Sequence, residues 1–112
     1  MEFLSNYKRT VYCGEPRIND VGNEMSVCGW VQRRRDLGQL LFVDLRDRTG
    51  ILQLAFDDNT NRCVFDTALT VRAEYVLYAH GVLRERSSKN AELPTGDVEL
   101  EVKKLQIGRA HV

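Results

Sequence analysis

The chain has 112 residues, enough for one domain around one core. It is 43% hydrophobic and 29% charged, and its 16 basic and 16 acidic residues give a formal net charge of zero, so overall charge offers no argument for a nucleic-acid partner. No apolar run approaches the roughly 18 residues of a membrane-spanning helix, and MEFLSNYKRT lacks the apolar block of a secretory signal, so a cytoplasmic location is expected.

Residues 1–22 are mixed and polar, with turn formers in CGEPRINDVGN, and are expected to form a lead-in with at most one helical turn. The domain proper is placed at 23–110. MSVCGWVQRR, residues 25–34, suggests a first strand, and Asp36, Leu37 and Gly38 a tight connection. In residues 39–47, Leu41, Val43 and Leu45 share one face of a second strand, with Leu40, Phe42, Asp44 and Arg46 on the other. DRTG is a turn. Residues 50–56 form a third strand, with Leu52, Leu54 and Phe56 on one face. A two-residue loop at Arg48 and Thr49 pairs Leu45 with Leu52, Val43 with Leu54 and Leu41 with Phe56, which puts every strong apolar position on one side. A slip of one residue would destroy that agreement.

Residues 57–72 change period: Val64, Ala68, Leu69 and Val71, with Phe65 nearby, fit one side of a helix, and Asp57, Asp58, Asn59 and Thr60 are candidates for its N-cap. Residues 74–85 return to a strand. RSSKNAELPTG is a loop, and residues 97–107 form a last strand with Val98, Leu100 and Val102 alternating against Asp97, Glu99, Glu101 and Lys103. Five short antiparallel strands with a helix between the third and fourth match the all-β OB-fold, a five-stranded Greek-key barrel with the helix plugging one end. Another small β-barrel or sandwich is the competing architecture.

The sequence offers no positive sign of catalysis. It contains no Walker loop, GxSxG or HExxH, and His80 and His111 stand beside no candidate nucleophile or metal ligand. Cys13, Cys28 and Cys63 have no CxxC or metal-ligand spacing and are expected to be reduced thiols. Binding is better supported. The second and third strands of an OB-fold and the loops beside them form its usual oligonucleotide face. Here that face carries Phe42, a ring on which a base could stack, and Gln53, diagonal to it, an amide able to donate to and accept from a base edge. Arg33, Arg34 and Arg35 enter the adjoining loop with guanidinium groups suited to phosphates. Arg84 and Arg86 lie two apart on the fourth strand and are expected to point the same way. Lys89 and Asn90 follow, and Glu99 is a carboxylate able to accept from a base amino or imino group. Each feature has a bland counterpart: an outward Phe can cap a minor core under a loop, and an arginine run can be a solvated strand end. Their gathering on one side of one barrel favours binding.

CGWVQRRRDLGQLLFVDLRDRTGILQLAF, with YCGE before it and GVLRERSSKN and TGDVELEV after it, resembles the anticodon-binding domain of bacterial aspartyl-tRNA synthetases. The likeness covers nearly the whole chain and is weakest in the first residues and the helix. It implies that the domain grips the splayed anticodon loop of the aspartate tRNA. On the matching positions, Phe42 would stack on the central uridine and Gln53 would hydrogen-bond to it. Arg35 would contact the third position and Glu99 would read the first base. Arg84, Arg86 and Asn90 would approach the anticodon or its backbone. The resemblance also implies a parent enzyme that uses ATP and magnesium to attach L-aspartate to its tRNA through aspartyl-adenylate, as a homodimer. In the family, the point matching GRAHV leads into a hinge and a class II catalytic domain; residues 1–112 hold none of the motifs for that chemistry, so this chain, expected to be a monomer without cofactor, is expected to be inactive alone. A general single-stranded nucleic-acid module and a protein-interaction barrel are the rival readings.

Overall fold

The computed structural model describes residues 9–108, so the first eight residues and the segment 109–112, with His111, lie outside the described residues. Five strands and one α-helix follow in order: β1 (Glu24–Asp36), β2 (Leu41–Asp47), β3 (Gly50–Phe56), α1 (Arg62–Ala68), β4 (Val76–Glu85) and β5 (Val98–Ile107). They close into a barrel in the order β1-β2-β3-β5-β4. This is the five-stranded barrel, with its helix between the third and fourth strands, that the sequence pattern leads one to expect.

One pairing differs from an all-antiparallel expectation. β3 meets β5 in parallel, through Gln53↔Glu99, Leu54↔Leu100 and Ala55↔Glu101. The reason is parity. Each antiparallel neighbour reverses direction, and a closed ring must return to its starting direction, so five strands cannot all alternate. β1 belongs to both halves of the barrel: its first part, Glu24 to Trp30, pairs with β4, and its second, Trp30 to Asp36, pairs with β2. A bulge between Val31 and Arg33 bends it between the two.

The β2–β3 hairpin has the register that its apolar pattern dictates, with Leu41↔Phe56, Val43↔Leu54 and Leu45↔Leu52. All six side chains are fully buried, and Val98, Leu100 and Val102 of β5 meet them inside the barrel. The turn into the hairpin relies on Gly38, whose φ of +86° is one that a Cβ disfavours. Helix α1 starts later than its cap-type residues suggest. Asn61 is the cap, its Oδ1 accepting from the backbone N–H groups of Cys63 and Val64 at 2.9 and 3.4 Å. The earlier candidates close a preceding turn instead: Thr60 Oγ1 accepts from the Asp57 N–H, and Asp57 Oδ1 from the Asn59 N–H. Phe65 and Ala68 carry the helix into the core cluster.

The lead-in contributes a short 3-10 turn at Ile18–Asp20 and is fastened to the hairpin through Asp47. Asp47 Oδ2 accepts from the Cys13 N–H at 2.8 Å, and Oδ1 accepts from the Thr49 N–H and hydroxyl at 2.8 and 2.6 Å. Burial works against the charge, but these hydrogen bonds outweigh it and hold the carboxyl below its ordinary range. A depressed folded-state pKa stabilises the fold above the unfolded value, and that contribution is lost as pH falls through the folded one. Asp47→Asn is therefore expected to lower stability at neutral pH and to flatten its decline below about pH 4, checked by thermal melts across the acid range. Beside Asp47, the Cys13 thiol is pushed up by burial and by this carboxylate, which keeps it neutral and unreactive. No helix among the described residues is long and apolar enough to cross a membrane.

Candidate nucleic-acid interface

A cavity of about 240 Å³ opens on the outer face of the β2–β3 hairpin. β1 lines it with Arg33 and Arg35, β2 with Phe42 and Asp44, β3 with Gln53 and β5 with Glu99. The segment after β4 closes it with Arg86, Ser87, Ser88, Lys89, Asn90 and Leu93. Four of these side chains are cationic and two are carboxylates, so a chain of zero net charge concentrates positive charge here.

The strand period sorts the arginine run. These residues continue β1 beyond its bulge, so Arg33 and Arg35 face the cavity while Arg34 turns away and donates to the Leu69 carbonyl at the end of α1. On the hairpin, the period that buries Leu41 and Val43 leaves Phe42 half-buried on the outer face. Its ring carries the Arg35 guanidinium 5.1 Å from the centroid. Gln53 stands directly across from Asp44 and diagonal to Phe42. Its Oε1 accepts from Arg35 Nη2 at 2.6 Å, and its Nε2 donates to Glu99 Oε1 at 2.7 Å. Ring, guanidinium, amide and carboxylate thus form one continuous row. Gln53 and Glu99 are almost wholly buried at the floor, whereas Phe42 rises beside them.

Arg84 and Arg86 differ in their surroundings. β4 ends at Glu85, so the two-residue period stops between them. Arg84 does not line the cavity; its guanidinium donates to Glu99, Glu101 and Asp57. Arg86 lines it and is only 7% exposed. Its Nε donates to the Val98 carbonyl at 3.1 Å, and its Nη2 is buried with no hydrogen-bond partner among the described residues. Burial pushes its pKa down. A buried guanidinium nitrogen without an acceptor costs free energy unless a ligand supplies one.

Ser87, Ser88 and Leu93 were not legible as site residues. They owe their place to the fold of the β4–β5 loop, in which Asn90 N–H donates to Gly96 O and Gly96 N–H to Leu93 O, each at 3.0 Å. A Cβ on Gly96 would stand 1.7 Å from the Asn90 carbonyl oxygen. Gly96→Ala is therefore expected to open this loop, raising amide exchange at Asn90 while residues 77–83 of β4 stay protected; hydrogen exchange by NMR checks it. Elsewhere, His80 is a packed imidazole, with Nδ1 2.7 Å from Ser26 Oγ and Nε2 3.1 Å from Glu24 Oε1. Among the described residues no group of three or more His, Cys, Asp or Glu could hold a metal ion.

The fold agrees with the relatives of the chain. Residues 25–107 match the tRNA anti-codon family, described as an OB-fold nucleic acid binding domain. An aspartate–tRNA ligase of Clostridium acetobutylicum is 49% identical over 106 residues, and one of Clostridium botulinum is 46% identical over the same length. Each match covers 95% of this chain, which spans only 18% of the relative's length. Among solved structures, an asparaginyl-tRNA synthetase from Pyrococcus horikoshii complexed with asparaginyl-adenylate superposes with a TM-score of 0.77 at 26% identity, covering 94% of this chain and 23% of that one. OBody AM2EP06, bound to hen egg-white lysozyme, superposes at 0.80 with 25% identity, covering 89% and 93%. A barrel with a floor of buried polar side chains under a cationic rim, matched over most of its length by one family model, places the chain in the tRNA anti-codon family of OB-fold nucleic acid binding domains, in the form that aspartate–tRNA ligases carry.

Proposed function

We propose that this chain reads the anticodon loop of the aspartate tRNA. The observation that carries the proposal is the row from Phe42 through Arg35 and Gln53 to Glu99 inside one cationic cavity. Splayed bases need a ring to stack on and fixed donors and acceptors at their edges. Phe42 takes the central base, Gln53 its edge and Glu99 the first base; Arg35 meets the third. Arg33, Arg86 and Asn90 meet the backbone or the bases, and the orphaned Arg86 nitrogen offers a donor to a phosphate or base carbonyl oxygen. Arg84 supports the same site from outside the cavity.

The longer protein to which such a segment belongs would be a cytoplasmic homodimer that attaches L-aspartate to its tRNA through aspartyl-adenylate, with ATP and magnesium bound elsewhere. This chain alone is expected to catalyse no aspartate-dependent pyrophosphate exchange, since it contains no ATP-binding motif; exchange measured with the pure chain would refute that.

The lysozyme-bound OBody belongs to a barrel of the same shape, so a protein-binding face is the second reading. Salt separates the two. An RNA groove built on Arg33, Arg35, Arg86 and Lys89 releases counterions on binding, and affinity for the aspartate anticodon stem-loop is expected to fall steadily as salt rises. Affinity that stays flat would remove the electrostatic groove, and an absence of RNA binding would leave the protein-binding reading.

A further inference from the structure

The row of readers does not stop at Glu99. Its Oε1 accepts from Gln53, while its Oε2 accepts from Arg84 Nε at 2.7 Å. The other arms of the same guanidinium donate to Glu101 Oε2 at 3.1 Å and to Asp57 Oδ2 at 3.0 Å. The register explains the convergence: Glu99 lies opposite Gln53 across the parallel β3–β5 pair and opposite Arg84 across the β4–β5 pair. Asp57 follows the last residue of β3, and neither it nor Arg84 lines the cavity.

We propose that Arg84 is a positioning residue for base recognition, acting through Glu99, with Asp57 and Glu101 as its outer anchors. This rests on the anticodon reading of the cavity. Three carboxylates around one guanidinium leave no excess positive charge to attract a phosphate. Burial of the Arg84 guanidinium opposes its charge, and the hydrogen bonds it donates to Glu99 and Asp57 more than restore it. In return, the arginine fixes a carboxylate that is only 6% exposed. A buried carboxylate without an ionic partner is unfavourable and turns toward water. Held by Arg84 on one oxygen, Glu99 keeps the other toward Gln53 and the cavity. That oxygen has a second lone pair for the amino or imino group of a base. Asp57 and Glu101 keep the guanidinium from following Glu99 if it moves.

The test uses Arg84→Met, Arg84→Lys and Asp57→Asn in this chain, with two measurements. The first is RNA-free: exchange of the Gln53 side-chain amide protons, by NMR. It is expected to quicken in Arg84→Met, and less so in Arg84→Lys and Asp57→Asn, which keep part of the network. The second is binding to the aspartate anticodon stem-loop and to loops with the first base replaced, across a range of salt. Arg84→Met is expected to lower the preference for the native first base about tenfold with no change in the salt slope. In a Glu99→Gln background it should lower that preference no further. Unchanged Gln53 exchange, or a salt slope reduced by about 1 with base preference intact, would overturn the positioning role. A wild-type chain that binds every loop equally would overturn the anticodon reading instead, while the exchange result would still decide whether Arg84 fixes Glu99 and Gln53.

Discussion

Phe42→Ala is expected to leave the thermal midpoint close to that of the unchanged chain while weakening aspartate stem-loop binding by about 1–3 kcal/mol. Phe42 pairs across the hairpin with Ala55 and lies between two fully buried residues, Leu41 and Val43, that already fill the inner face. Its ring is half-buried, touched by the Arg35 guanidinium rather than packed in the core cluster. Truncation therefore removes a stacking surface and one cation–π contact, but no core volume. Gln53→Ala is expected to behave differently. It removes the link between Arg35 and Glu99, so discrimination at the central base should fall by about 1–3 kcal/mol together with a measurable loss of stability. The two changes should not add, because a base that no longer stacks is not held for the amide to read. Thermal melts and titrations on the same samples check both. If Phe42→Ala unfolds the domain and the folded fraction binds as before, the ring belongs to the core.

Leu54→Ala should give the opposite pattern. Leu54 is the next residue after Gln53 and points to the other face, where it is fully buried between Val43 on β2 and Leu100 on β5. Removing a leucine side chain from such a position leaves a cavity and costs about 2–5 kcal/mol. Denaturant melts should show the loss, while the remaining folded protein should bind the stem-loop with unchanged affinity. Two adjacent residues, both needed for stability but only Gln53 for binding, would demonstrate that recognition belongs to one face of β3. A loss of affinity in folded Leu54→Ala would deny that.

The sequence makes the hairpin legible because period-two alternation and a two-residue turn leave one register that buries all six apolar side chains. It makes Phe42 and Gln53 legible as outer-face residues for the same reason: what does not point in must point out. Resemblance to a family added roles that periodicity could not supply. What stayed hidden depends on contacts between distant segments. The parallel β3–β5 pair follows from closing the ring, which no local pattern encodes. The bulge after Val31 decides which arginines of the run face the cavity. Asn61 could not be picked from a run of residues that can all cap a helix. Arg84 and Arg86 look equivalent two positions apart, but the end of β4 at Glu85 and the carboxylates of Asp57, Glu99 and Glu101 give them different surroundings. The buried Arg86 nitrogen without a hydrogen-bond partner among the described residues likewise depends on the folded barrel rather than on local pattern.

The most direct measurement is a competition at fixed salt between the aspartate anticodon stem-loop and a stem-loop of equal length and charge with its three anticodon bases replaced. Phosphates contribute equally to both, so any difference reports contacts to bases. Recognition by Phe42, Arg35, Gln53 and Glu99 predicts that the native loop displaces the altered one, and that Phe42→Ala with Gln53→Ala weakens the preference. Equal binding of the two loops by the unchanged chain would contradict anticodon reading and reduce the cavity to a general site for single strands.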